Sequence, residues 1–236
     1  HVTHLGKIMF QKLTHTIART LVLVAAVGCS MGSIGSASAQ EALAWQIHQP
    51  ASSLTFNTTK SGAAGVGGVT ETMRFKNFKG GLSGKGQIEL TIDLSSVDSG
   101  IAIRDERLQN MFWNVAAHPS VSFVGQLSAD DMKNIAAGKA SNAVMVEGQL
   151  TMAGQAKPIK AALQVIPAQH KLYVSTRQPI VINANDFGLN AGVEALRAIM
   201  GLNYLSTSAP VTFALELNMA SSPKTMSESK LPLSAW

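Results

Sequence analysis

Residue types able to do chemistry are few in this chain and stand apart from one another. Past residue 39 there are three histidines, His48, His118 and His170. None lies at a metal-ligand spacing from another, so a metal site would have to be assembled wholly in three dimensions. Each reads more simply as a surface or turn residue. No nucleophile elbow is present, and no serine has a base partner evident along the chain. Gly84-Lys85 sits in a glycine-rich run, but Gly86 stands where a phosphate loop carries its metal-binding Ser or Thr. Asp186-Phe187-Gly188 spells a kinase tripeptide without the glycine loop, strand lysine or catalytic loop that give it meaning, and reads as a turn ending a strand. Asn57-Thr58-Thr59 is a sequon by letter, behind a leader of bacterial type.

One segment is denser. Ile92-Asp93-Leu94-Ser95-Ser96-Val97-Asp98-Ser99-Gly100, followed by Arg104-Asp105-Glu106-Arg107-Leu108, sets a strand end, a polar turn and a charged helix start side by side. Asp105 and Glu106 near a helix N-terminus are favourable with its dipole. Arg104 has two readings: a local ion pair that fixes the helix, or a guanidinium at the mouth of the interior, offered to an anionic head group.

The elements that position these residues follow from pattern. In Gln87-Ile88-Glu89-Leu90-Thr91-Ile92-Asp93-Leu94 every second residue is aliphatic, which puts those side chains on one face of a half-buried strand. The rhythm recurs at Val121/Phe123, at Ile159/Ala161/Leu163/Val165 and at Val211/Phe213/Leu215/Leu217, and more weakly over 45–58, 69–78, 144–152 and 171–182. About eight strands result, separated by clusters such as Gly80-Gly81-Leu82-Ser83-Gly84 and Ala153-Gly154-Gln155. Eight antiparallel strands, each apolar on one side, close most simply into an up-and-down barrel. Short helices are expected over 103–113, 130–137 and 193–200, as insertions between strands. The fold expected is therefore all-β, an eight-stranded antiparallel barrel with two or three short helices inserted. Aromatic residues make up only 6% of the chain, too few for the girdles of an outer-membrane barrel.

Composition removes other classes. The net charge is +5, but Lys7, Lys12 and Arg19 supply +3 of it within residues 1–39, and no basic cluster follows. Nucleic-acid binding is thereby disfavoured. No apolar run reaches the roughly 18 residues of a spanning helix. Lys12 and Arg19, the apolar run Leu21 to Gly28, and Ala37-Ser38-Ala39 match the three regions of a secretory signal peptide, with Met9 as the expected start. Residues 1–39 are expected as signal peptide with an upstream extension, 40–219 as the barrel, and 220–236 as a loose polar tail. The periplasm is the expected location. Acylation of Cys29, the sole cysteine, at Ala26-Val27-Gly28-Cys29 is the alternative, disfavoured by Ala26 where Leu is usual.

Taken together, these stretches resemble the YceI-like family, secreted bacterial lipid-binding proteins with a lipocalin-like barrel. The resemblance rests on Trp45 with Ser53-Leu54-Thr55-Phe56, on Phe75-Lys76-Asn77-Phe78-Lys79-Gly80, and on the 92–105 segment. Phe112-Trp113, His118-Pro119, Val121-Ser122-Phe123, Gly148 to Gly154 and Asn185-Asp186-Phe187-Gly188-Leu189 complete it. The first strand departs from the family pattern, which has an Asp shortly after the Trp and a His just before the Ser. Here His48, Pro50 and Ser52-Ser53 stand instead, and Pro50 implies an edge or a kink.

The resemblance implies a long isoprenoid lipid, a polyprenyl phosphate or a quinone, held inside the barrel without cofactor, metal or catalysis. Phe56, Phe75, Ile88, Leu90, Phe123 and Phe213 are the expected lining. Phe112 and Phe187 join them as expected contacts, with Arg104 and Asp105 at the polar mouth. Two alternatives stay open: a solid barrel serving as an interaction module of the cell envelope, and a secreted lipid- or quinone-modifying enzyme using His118 or Asp105. A homodimer is also left open.

Overall fold

The alternating runs become thirteen strands in a computed structural model that describes residues 42–62 and 67–220. They are β1 (Leu43–Ile47), β2 (Ser53–Ser61), β3 (Val69–Phe75), β4 (Phe78–Ser83), β5 (Gln87–Asp93), β6 (Val97–Asp98) and β7 (Ser120–Gln126). β8 (Ser141–Met152), β9 (Gln155–Ala168), β10 (Lys171–Thr176), β11 (Ile180–Asn183), β12 (Tyr204–Leu205) and β13 (Ser208–Met219) follow. The leader, Cys29 and residues 221–236 lie outside the described residues.

Several of these strands are halves of longer staves. β1 and β2 run on across a 3-10 turn at Gln49–Ala51, β3 continues into β4, β5 into β6 across Leu94–Ser96, and β10 into β11. With β7, β8, β9 and β13 this makes eight staves, each antiparallel to the next in chain order. β13 closes the ring against the first stave, through Trp45↔Met219 and Phe213↔Leu54. Closure pairs the first and last staves with each other, which removes the two edges an open sheet of this length would present. The eight-stranded antiparallel barrel expected from the alternation is thus the fold observed.

Because stave directions alternate, the connections between staves three and four and between seven and eight emerge at one end. The first carries α1 (Ala102–Arg107) and a π-helical run at Leu108–Trp113, closed by Asn114 at φ 51°. The second carries α3 (Asn190–Ile199) and β12. α2 (Ala129–Ala136) lies between staves four and five, at the opposite end, where Ser128 Oγ accepts the Asp131 N–H and caps it. Two apolar clusters result. One gathers Phe56, Leu94, Trp113, Phe187 and Leu196 under α1 and α3, and the other gathers Leu82, Ile135, Val144, Leu163 and Leu172 towards α2.

Three local expectations change. The single helix over 103–113 divides into an α-helical and a π-helical part. The run 45–58 breaks at the turn containing Pro50, which takes a helical first-turn position because it has no N–H to give the ladder. Gly80 and Gly81, expected between strands, lie inside β4. A Cβ at Gly80 would overlap the Glu89 carbonyl of β5, and one at Gly81 the Trp45 carbonyl of β1. Glycine there serves close backbone approach rather than a turn. By contrast Ala153-Gly154-Gln155, expected as a break between strands, is one: Ala153 and Gly154, at φ 50° and 76°, form a two-residue hairpin between β8 and β9.

Candidate functional site

Period two decides which side chains meet inside the barrel. On β2 the inward series is Leu54, Phe56, Thr58 and Lys60, and on β13 it is Ala209, Val211, Phe213, Leu215 and Leu217. The inward side chains of all eight staves do not fill the interior. They leave a cavity of about 300 Å³, at the lower end of the roughly 300–1,000 Å³ usual for ligand pockets. Phe123 helps to shape its wall. Gly125 of β7 and Gly148 of β8 face each other, and the Phe123 ring covers the surface both leave bare. Near α1, Phe56 stacks on Phe75 at 5.3 Å between centroids, and Trp113 packs against Phe56, Phe75 and Phe112 at 6.2, 5.7 and 5.2 Å.

Phe56, Phe75, Ile88, Leu90, Arg104, Phe112, Phe123 and Phe213 all border this cavity. Asp105 and Phe187 do not. Asp105 Oδ1 accepts the Ser99 N–H at 2.8 Å and holds the turn into α1. Phe187 is buried in the apolar cluster with Trp113 and Leu196, because it sits in a 3-10 turn where strand parity no longer applies.

Three of the four charged residues of the lining, Lys60, Glu71 and Arg104, gather where β2, β3 and α1 meet, while Glu89 lies apart on β5. Arg104 Nη1 and Nη2 reach Glu71 Oε2 and Oε1 at 3.0 and 3.1 Å, a two-pronged pair. Lys60 Nζ lies 2.9 Å from Glu71 Oε2. The Lys60 and Glu71 side chains are each 26% exposed and Arg104 15%, so water screens this cluster only in part. Burial by itself raises the Glu71 pKa, but the Lys60 hydrogen bond and the charges of Arg104 and Lys60 outweigh it and hold the carboxyl below its ordinary value. Arg104 thus makes an ion pair, with a partner on β3 rather than a local acid, and also borders the interior. Lys60 and Glu71 were not singled out in the sequence. The usable signal was parity: each is a charge on the apolar face of its strand, with Leu54 and Phe56 or with Met73 and Phe75.

The dense 92–105 segment fixes α1, and so Arg104. Asp93 Oδ1 accepts the Ser95 N–H, Ser96 Oγ donates to the Asp93 carbonyl, and Asp98 Oδ1 accepts the Gly100 N–H. Asp98 Oδ2 also takes Arg74 Nη2 at 2.6 Å and Lys76 Nζ at 3.2 Å. The Arg74 hydrogen bond, then that of Gly100, pulls the Asp98 carboxyl from 3.8 down to about 2. A depressed carboxylate contributes stability that is complete above its unfolded pKa and is lost as pH falls through its folded one. Thermal melts should therefore fall as pH drops from 3.8 to about 2. In Asp98→Asn that part of the slope should disappear, and an unaltered slope would refute the assignment.

A second polar cluster lies on the outer face. Glu216, between the inward Leu215 and Leu217, is buried against the kink of the first stave. Its Oε1 lies 2.8 Å from Lys171 Nζ and 3.1 Å from His48 Nδ1, while its backbone N–H donates to Ser52 Oγ at 3.0 Å. The Lys171 hydrogen bond holds the Glu216 carboxyl below its ordinary value. His48, part of the departed first-strand pattern, thus braces the wall and does not border the cavity. Among the described residues no group of three or more His, Cys, Asp or Glu could hold a metal ion, and no helix is long and apolar enough to cross a membrane.

Residues 45–219 match the family described as YceI-like domain. A solved structure described as a polyisoprenoid binding domain from Saccharophagus degradans, implicated in plant cell wall breakdown, is 30% identical, with a TM-score of 0.69 over 76% of this chain and all of that one. Burkholderia cenocepacia BcnA is 17% identical, with a TM-score of 0.55 over 72% of this chain and 98% of its own, a likeness of fold alone. No match was found among curated proteins.

Proposed function

Because this chain belongs to the YceI-like family, we propose that it is a binding protein that holds a long isoprenoid lipid, a polyprenyl phosphate or an isoprenoid quinone, inside its barrel. The observation that carries this reading is a cavity lined almost wholly by apolar side chains, with three of its four charged residues, Lys60, Glu71 and Arg104, gathered at one end. The polyisoprenoid binding domain at 30% identity supports the same ligand class. Each buried CH₂ contributes about 0.8 kcal/mol, so a prenyl chain of several units gains more than the entropy of ordering costs it. The chemistry proposed is that of holding and releasing. The protein is further proposed to act in the periplasm, after removal of residues 1–39, as a carrier or reservoir.

Native mass spectrometry of the mature protein purified from its host, followed by organic extraction, tests this directly. The expected result is one isoprenoid per barrel, and the same spectrum reads whether the chain is a monomer or a homodimer. A clean apo mass that stays apo after incubation with quinones and polyprenyl phosphates would overturn the reading in favour of an envelope interaction module.

A further inference from the structure

We infer that Glu71 sets the head-group specificity of the cavity, admitting an isoprenoid whose head is neutral and accepts hydrogen bonds, such as a quinone ring, over one that ends in phosphate. The inference deepens the isoprenoid reading and rests on it. Lys60 and Arg104 alone would make the mouth a phosphate site, since an Arg fork matches a phosphate as well as a carboxylate. Glu71 changes that. Its two oxygens already engage both prongs of Arg104 and the Lys60 ammonium. The remaining polar residues lining that end, Thr58, Ser206 and Thr207, are uncharged.

Charge then discriminates. Lys60, Glu71 and Arg104 sum to a single positive charge, whereas a phosphate monoester carries about −1.5 to −2 at neutral pH. Bound there it would leave the mouth net negative, with its oxygens against those of Glu71 in a place where screening is incomplete. A neutral carbonyl displaces nothing. An ammonium has three donors and a guanidinium five, and Glu71 engages one of the first and two of the second. The donors left over can turn to a carbonyl oxygen at the end of a buried prenyl tail.

The test is competitive binding of a quinone and a prenyl phosphate of equal chain length to delipidated mature protein, read as the ratio of the two dissociation constants. Wild type should favour the quinone by about tenfold or more. Glu71→Gln, which keeps shape and loses charge, should move the ratio about tenfold or more towards phosphate. Lys60→Gln should move it the other way. If Glu71 only props the fold, its replacement will weaken both lipids alike, and an unmoved ratio with tight binding retained would overturn this inference alone. A wild type that prefers phosphate would do the same. Binding of neither lipid would remove the isoprenoid reading together with it.

Discussion

Ala161→Trp is expected to abolish lipid binding, by a hundredfold or more on the order of the loss from filling a site outright, while leaving the unfolding midpoint unchanged or raised. Ala161 is on the inward face of β9, opposite Val146 of β8, and borders the cavity. In a close-packed core an added indole forces neighbours off their rotamers and costs about 1–3 kcal/mol or more. In a barrel with about 300 Å³ left empty, the indole occupies space the ligand would have used. It also gains the dispersion contacts that an empty cavity lacks. Lipid titration and thermal melting on one preparation separate the cases. A lowered midpoint with binding retained would mean that the interior is packed at this level and that the ligand sits elsewhere. Ala209→Trp on β13 repeats the test from another stave.

Trp113→Ala should cost about 3–5 kcal/mol of stability, the usual range for truncating a buried Trp. The side chain is 5% exposed and touches Phe56, Phe75 and Phe112. It is the last residue of the π-helical run, so it ties the α1 connection to the first two staves. Gly192 of α3 packs on the same run so closely that a Cβ there would lie 2.9 Å from the Phe112 Cα. Loss of the indole therefore loosens the whole cap, and with it the helix that carries Arg104. Urea unfolding should show the decrease, with a fall in melting temperature of roughly 10 °C for a domain of this size. Val181→Ala is the control: at 61% exposure it should stay within about 0.5 kcal/mol of wild type. Equal effects from the two substitutions would show that Trp113 anchors nothing.

Legibility differed by element, for physical reasons. β5 and β13 were readable because alternation records a face that must be buried, and that pressure acts on each strand separately. The break at Ala153-Gly154-Gln155 was readable because a tight turn favours glycine, a local demand that the positive φ of Gly154 reflects. Gly80 and Gly81 were misread because what excludes a Cβ there is the carbonyl of a neighbouring strand, and nothing local announces it. The π-helical continuation of α1 was equally silent, since its apolar spacing differs little from that of an α-helix over six residues.

The binding region divides along the same line. Phe56, Phe75, Ile88, Leu90, Phe123 and Phe213 could be placed inside from parity once a barrel was expected. Lys60 and Glu71 share that parity, yet their meeting depends on the β2–β3 register, Thr58↔Glu71 and Lys60↔Val69. Their union with Arg104 depends on a cap that begins some thirty residues further on. Sequence by itself determined the all-β class, the apolar face of the strongly alternating strands and the family resemblance, because these follow from short-range periodicity and from motifs contiguous in the chain. Only the tertiary structure decided where the staves bend, which charges meet at the mouth, and that the interior is hollow. Hollowness is a difference between two sums over the whole ring: the bore that eight tilted staves enclose and the volume of every side chain pointing into it.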